Sequence, residues 1–228
     1  MNQRLEEINS RIRKAAEQCG RDPQSVRLVA VSKTVPSERV LEAINSGVTI
    51  LGENYIQEAR QKFDALNAHP IAWHFIGHLQ TNKAKYAVRI FDLIHSVDSI
   101  KLAREINKRA ARINKIQNIL VQVNISQEAS KSGVHVDHIK PLIQEISGMS
   151  NLKIKGLMTM PPFFNQPEKV RPYFGALRNL RDELLIRENV IDAGLHELSM
   201  GMTGDFEVAI QEGATLVRIG TAIFGARK

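Results

Sequence analysis

The stretch VRLVAVSKTVPSERVLEAINSG, residues 26–47, holds one complete structural unit. Val29, Ala30 and Val31 end a run of β-branched and small apolar residues, which suits a strand covered on both faces of its sheet. The run stops at Ser32 and Lys33. An amphipathic segment from Ser37 to Ser46 then reads as a helix closed by Gly47. A buried strand followed at once by a helix is the repeating unit of a parallel α/β fold.

Working outward, the same unit recurs along the chain. Short apolar runs begin at Val26, Val48, Ala72, Leu93, Asn118, Lys153, Glu197 and Thr215, which gives eight candidate strands. Helices are expected from Ser37, near Thr81, near Asp98, near Val136 and through Pro167. Leu5, Ile8, Ile12 and Ala15 or Ala16 share one helical face and predict an additional helix before the first strand. Eight strand–helix repeats argue for a single (β/α)8 TIM barrel occupying residues 1–228, with a doubly wound open sheet as the alternative. The one Pro-rich place, MPPFFNQP at 160–167, falls after the sixth strand, where a barrel has a rim loop.

The 228 residues are 43% hydrophobic, enough for one full core. Cys19 is the only cysteine, so no internal disulfide can form, and no secretory or transmembrane run is seen; a reducing cytoplasm is the expected setting. Lys and Arg number 31 against 24 Asp and Glu, a net charge of +7. The cations are spread along helical segments such as REINKRAARINK rather than gathered with aromatics. That favours solvated helix faces over a nucleic-acid surface, while the net field still attracts anionic metabolites.

Function in a barrel sits at the carboxyl ends of the strands. Those ends gather Lys33, Glu53, Asn54, Gly77, His78, Ser96, Asn124, Met158, Ser199, Arg218 and Gly220. The sharpest signal is the pair LSMGMTGD (198–205) and RIGTAIFG (218–225), each placing glycines and hydroxyls before an apolar helical start. Barrels commonly hold a phosphate between these two loops, on backbone N–H groups freed at a helix start. Ser199, Thr203 and Thr221 offer hydroxyl donors. The alternative is that Gly201 and Gly220 only make turns and Asp205 only caps a helix. A phosphate anchor opposite Lys33 suggests a phosphorylated carbonyl ligand held as a Schiff base. Such a lysine must lose its proton, so its ordinary pKa of about 10.4 must be lowered. A solvated or ion-paired Lys33 remains the other reading.

The strings AVSKT, LGENYIQE, WHFIGHLQTNK, HSVD, KSGV, GLMTM, LSMGMTGDFEVAI and VRIGTAIFG together resemble the pyridoxal phosphate homeostasis proteins, single-domain relatives of the alanine racemase barrel. The likeness runs in order from the first helix to Gly225. It implies that Lys33 forms the Schiff base with pyridoxal 5'-phosphate (PLP) and that Asn54 lines the ring. It implies a phosphate cradle at Ser199, with the main chain of Met200 and Gly201, and at Gly220 with Thr221. Arg218 would face the pyridine nitrogen. An arginine there stays charged and keeps that nitrogen unprotonated, which weakens the ring as an electron sink. Thr203 departs from the family's usual serine but keeps the hydroxyl.

The resemblance thus implies a non-catalytic PLP carrier in vitamin B6 homeostasis and amino/keto acid balance, with apo PLP-dependent enzymes as recipients. A monomer is expected, with no nucleic acid, membrane or metal involved. The alternative is a PLP-dependent amino-acid racemase. That chemistry needs a second acid/base on the ring face opposite the lysine, and Tyr55 and His78 are the candidates. Tyr86 and Tyr173 read as packing residues. Lys83 and Lys131 are the other lysines to weigh as PLP partners, Lys131 because its rim loop resembles a family motif.

Overall fold

The computed structural model describes residues 1–128, 131–187 and 194–225. Its strands are β1 (Arg27–Val31), β2 (Ile50–Glu53), β3 (Ala72–Phe75), β4 (Leu93–Val97), β5 (Gln117–Asn124), β6 (Val134–His135), β7 (Leu152–Met158), β8 (Glu197–Met202) and β9 (Leu216–Ile219). Every pairing is parallel, β9 returns to β1, and β4 pairs with β5. The ring therefore closes on eight strands, and β6 lies outside it against β5. This is the barrel expected from the sequence, and the open doubly wound sheet is excluded by the β4–β5 closure.

The helices are α1 (Asn2–Gln18), α2 (Ser37–Asn45), α3 (Ile56–Leu66), α4 (Ala84–Ile90), α5 (Ile100–Ala111), α6 (Ile139–Ser147), α7 (Arg171–Arg187), α8 (Phe206–Gln211) and α9 (Thr221–Phe224). The expected additional helix is α1, which buries Leu5, Ile8, Ile12, Ala15 and Ala16. Starts expected near Thr81, Val136 and Pro167 are single 3-10 turns that lead into α4, α6 and α7. The periodicity gave no sign of α3. Its buried face is Ile56, Ala59, Lys62 and Leu66, so a lysine stands where the apolar stripe should continue.

Strand alternation divides the core in two. Val29, Ile50, Leu93, Leu120, Met158 and Leu216 form one apolar cluster, the plug of the barrel. Their neighbours in sequence, such as Ala30, Leu51, Ile94, Ile119, Leu157 and Val217, belong to the larger cluster shared with the helices. Each fully buried aliphatic side chain of this kind contributes roughly 1.5–3 kcal/mol. The plug leaves the carboxyl ends of the strands as the place where polar groups can gather.

Candidate functional site

A cavity of about 280 Å³ opens at that end. Its wall is built in strand order by Val31 at the end of β1, Lys33 after it, Asn54 after β2, Ile76 after β3, and Met160, Phe163 and Phe164 of the loop after β7. Met202, Thr203, Gly204 and Asp205 follow from β8, and Arg218, Gly220 and Thr221 from β9. Two cations, Lys33 and Arg218, thus face a space with one carboxylate, Asp205. The Thr221 and Thr203 hydroxyls meet at 3.3 Å in its wall. Asn54 Oδ1 is buried there with no hydrogen-bond partner, an acceptor left for a ligand's donor. Another cavity of similar size lies between α4 and α5 among Lys85, Tyr86, Arg89, Arg109 and Arg112, on the outside of the barrel and away from the strand ends.

Gly77 sets the position of Asn54. A Cβ at residue 77 would stand 2.2 Å from the Asn54 carbonyl oxygen and 2.7 Å from its Cα. Only glycine lets the chain after β3 pass that close to the end of β2.

Arg218 is buried, yet it reaches the cavity. Its Nη2 donates to the Thr159 carbonyl at 2.9 Å and its Nη1 to Ser199 Oγ at 2.6 Å. Ser199 Oγ lies 2.9 Å from His95 Nδ1, and His95 Nε2 lies 3.0 Å from His74 Nδ1. A chain of four polar side chains therefore descends from the mouth into the barrel interior. Burial lowers the Arg218 guanidinium to about 10, against which Asp205 acts, so it stays charged at neutral pH. Burial also lowers His74 to about 3, helped by the charge of Arg27, and holds His95 well below the ordinary histidine range. Both imidazoles are neutral. Asp205 Oδ1 accepts from the Met202 N–H at 2.6 Å rather than capping α8, and burial pushes its carboxyl up.

Behind Lys33 stands a buried ionic cluster that the sequence reading missed. Lys62 Nζ donates to Glu53 Oε1 at 2.6 Å and to the Ser32 carbonyl, and Ser32 Oγ donates to the same Glu53 oxygen at 2.6 Å. Glu58 Oε2 lies 3.7 Å from Lys62 Nζ and accepts the Thr34 N–H at 2.7 Å. Burial raises the Glu53 carboxyl while Lys62 and Ser32 oppose the rise. The sequence showed Glu53 at its strand end, but its partner Lys62 lies on the buried face of α3, a helix that the periodicity did not reveal.

Of the residues expected at the site, Lys33, Asn54, Arg218, Gly220 and Thr221 share the cavity. Ser199, Met200 and Gly201 are buried and do not line it, and the Ser199 hydroxyl is engaged by Arg218 and His95. Gly201, at φ +89°, makes room for α8: its Cβ would meet that of Ala209 at 2.5 Å. The hydroxyl presented to the cavity just after β8 is that of Thr203. Tyr55 is exposed at the start of α3, His78 lines a separate cleft with Asp98 and Lys101, and neither lines the Lys33 cavity. Tyr86 lies under Arg60 and Lys85 outside the barrel, and Tyr173 stacks on Phe164. Lys83 ends the 3-10 turn before α4, and Lys131 lies in the loop after β5, where Asn124 Nδ2 donates to its carbonyl at 3.4 Å. Among the described residues no cluster of His, Cys, Asp or Glu is arranged to hold a metal ion, and no helix is long and apolar enough to cross a membrane.

The family model "Alanine racemase, N-terminal domain" matches residues 3–228. A pyridoxal phosphate homeostasis protein of Aquifex aeolicus is 49% identical over 99% of this chain and 98% of its own length. Its namesake in Vibrio alginolyticus is 43% identical over 100% of this chain and 97% of its own. Among solved structures, PipY of Synechococcus elongatus with PLP bound superposes with a TM-score of 0.83 at 35% identity, covering 96% of this chain and 100% of PipY. A barrel whose strand ends gather a lysine, a buried arginine and two threonine hydroxyls, with kinship of this extent, places the chain in the pyridoxal phosphate homeostasis protein family, within the alanine racemase N-terminal domain fold.

Proposed function

We propose that this protein binds PLP in the Lys33–Arg218 cavity, covalently through Lys33, and serves as a carrier in vitamin B6 homeostasis and amino/keto acid balance without turning over substrate. The observation that carries the reading is the donor set of that cavity. An amine and a fixed guanidinium stand among hydroxyls and main-chain groups, and Asn54 Oδ1 is an orphaned acceptor. That set fits a phosphorylated aldehyde bearing a hydroxyl. When bound, PLP supplies an aldehyde that condenses with an amine, releasing one water, and a ring whose electron demand grows when its nitrogen is protonated. The residues divide the remaining work. Thr203, Gly220 and Thr221 would hold the phosphate, Asn54 would accept from the ring hydroxyl, and Arg218 would face the ring nitrogen. Arg218 can only donate, so it keeps that nitrogen free of a proton.

Two features support a carrier over a racemase. Arg218 lowers the acidity that the ring would confer on an amino acid. Neither Tyr55 nor His78 lines the cavity to serve as a second acid/base. Exposed Phe163 and Met160 line the mouth, which leaves the ligand open to transfer toward apo PLP-dependent enzymes. A lone, exposed Cys19 suits the reducing cytoplasm proposed as its setting, and a monomer is the proposed state, read out by light scattering.

The test is an absorbance spectrum of PLP-loaded wild type and Lys33→Ala, followed by borohydride reduction, peptide mass mapping and a racemisation assay on L-amino acids. A visible band lost in the variant, PLP fixed on Lys33 and no D-amino acid formed would support the carrier. Lys33-dependent turnover would overturn it in favour of the racemase. PLP fixed on Lys83 or Lys131 would move the site.

A further inference from the structure

We infer that Lys62, acting through Glu53 and Glu58, is the positioning residue for Lys33: it holds the two residues flanking Lys33 in a strained turn that presents the amine to the cavity. The inference rests on the reading that Lys33 carries PLP, and it begins from an outlier. Thr34 has φ +62°, in the left-handed region that a β-branched side chain resists. Such strain persists only where the surroundings over-determine it, and it sits directly after the reactive lysine.

The surroundings do so from both sides. On the amino-terminal flank, the Ser32 N–H donates to the Gly52 carbonyl at 3.0 Å and its hydroxyl to Glu53. Its carbonyl accepts from Lys62 and, at 3.0 Å, from the Val35 N–H. On the other flank, Glu58 takes the Thr34 N–H. The two carboxylates that grip the two flanks share one cation, Lys62. Lys62 and Glu53 are 5% and 0% exposed, so no solvent ion can replace either partner.

A buried ion pair is a poor device for stability, because an apolar pair of the same size often serves as well or better. It is a good device for fixing a backbone, since each bond has a direction. Without Lys62 the carboxylates lose their counter-charge, the grip on Ser32 and Thr34 loosens, and Thr34 can relax to an ordinary conformation that carries Lys33 away from the cavity.

The test compares Lys62→Met, Glu58→Ala, Thr34→Asn and the double variant Lys62→Met with Thr34→Asn. Asparagine tolerates the left-handed region, so it preserves the turn when the clamp is gone. Two readouts are taken: the PLP concentration that half-saturates the visible band, and amide hydrogen exchange at Thr34 and Val35 in ligand-free protein. Lys62→Met is expected to raise the half-saturating concentration at least tenfold and to speed exchange at both amides. The double variant is expected to recover most of both. A merely structural Lys62 would not be rescued from residue 34. Unchanged exchange and loading in Lys62→Met, or no recovery in the double variant, would overturn the inference. Should Lys62→Met fail to fold, Glu58→Ala carries the same test, because Glu58 is partly exposed and its loss removes the Thr34 grip and its pairing with Lys62 while the Lys62–Glu53–Ser32 bonds stay in place. If wild type forms no band at all, the PLP reading fails, while exchange still decides whether Lys62 holds the turn.

Discussion

Ser199 shows why a side chain's partners, and not its motif, decide its role. The hydroxyl that the resemblance assigns to the phosphate cradle lies between Arg218 and His95. Arg218 can only donate to it, so Ser199 Oγ accepts there and its own proton goes to His95 Nδ1. His95 then donates from Nε2 to His74 Nδ1, an arrangement that leaves no hydroxyl proton without an acceptor. Ser199→Ala is therefore expected to cost about 1.5–3 kcal/mol of stability, as for a hydrogen bond to a charged group, and to leave phosphate contacts in place. Thr221→Val is expected to do the reverse, weakening PLP binding about fivefold, or roughly 1 kcal/mol, at unchanged stability. Urea unfolding and PLP titration of the two variants check this. Equal effects on binding would return Ser199 to the phosphate cradle. Lys33, Asn54, Arg218, Gly220 and Thr221 were legible because the barrel dictates where strand ends go. The inward or outward aim of Ser199 was not, because strand alternation there depends on a register that shifts between Ser199 and Met202.

At the scale of elements, the eight strands were legible because each is a short apolar run bounded by polar turns. Helix α3 was hidden by the group that makes it useful: Lys62 interrupts its apolar face. The two-residue β6 was equally hidden, since so short a strand carries no period of its own. How tightly strand ends pack could not be read either. Gly77 was gathered among the strand ends with no role of its own, yet it lets the end of β3 lie against the Asn54 backbone. Gly77→Ala should push the ends of β2 and β3 apart, costing about 1–3 kcal/mol as overpacking does, and should displace Asn54 from the cavity. PLP affinity is expected to fall with stability in this variant, whereas Asn54→Ala should lower affinity alone. Thermal melts beside PLP titrations separate the two, and a Gly77→Ala protein that binds normally would show that the strand ends are more pliant than their packing implies.

At the scale of the whole molecule, the polar chain in the barrel interior makes folding sensitive to acid. His74 and His95 are neutral in the folded state, with His74 lowered to about 3 and His95 well below its ordinary value, whereas in the unfolded chain both titrate near 6.5. Below that pH the unfolded state binds more protons than the folded one, so stability rises with pH across this window and is lost as pH falls from 6.5 toward 3. Each histidine contributes up to about 1.4 kcal/mol per pH unit, so the pair removes about 4 kcal/mol between pH 7 and 5. Glu53 and Asp205 act in the opposite sense, because burial raises them and the folded state gains a proton first as pH falls. Comparing wild type with His74→Gln plus His95→Gln isolates the imidazoles, since glutamine keeps hydrogen-bonding groups that do not titrate. Urea midpoints at pH 7, 6 and 5 should fall steeply for wild type and much less for the double variant, even if the variant starts lower at pH 7. Parallel slopes would mean that the interior admits protonated imidazole, and the neutral chain beneath Arg218 would have to be redrawn.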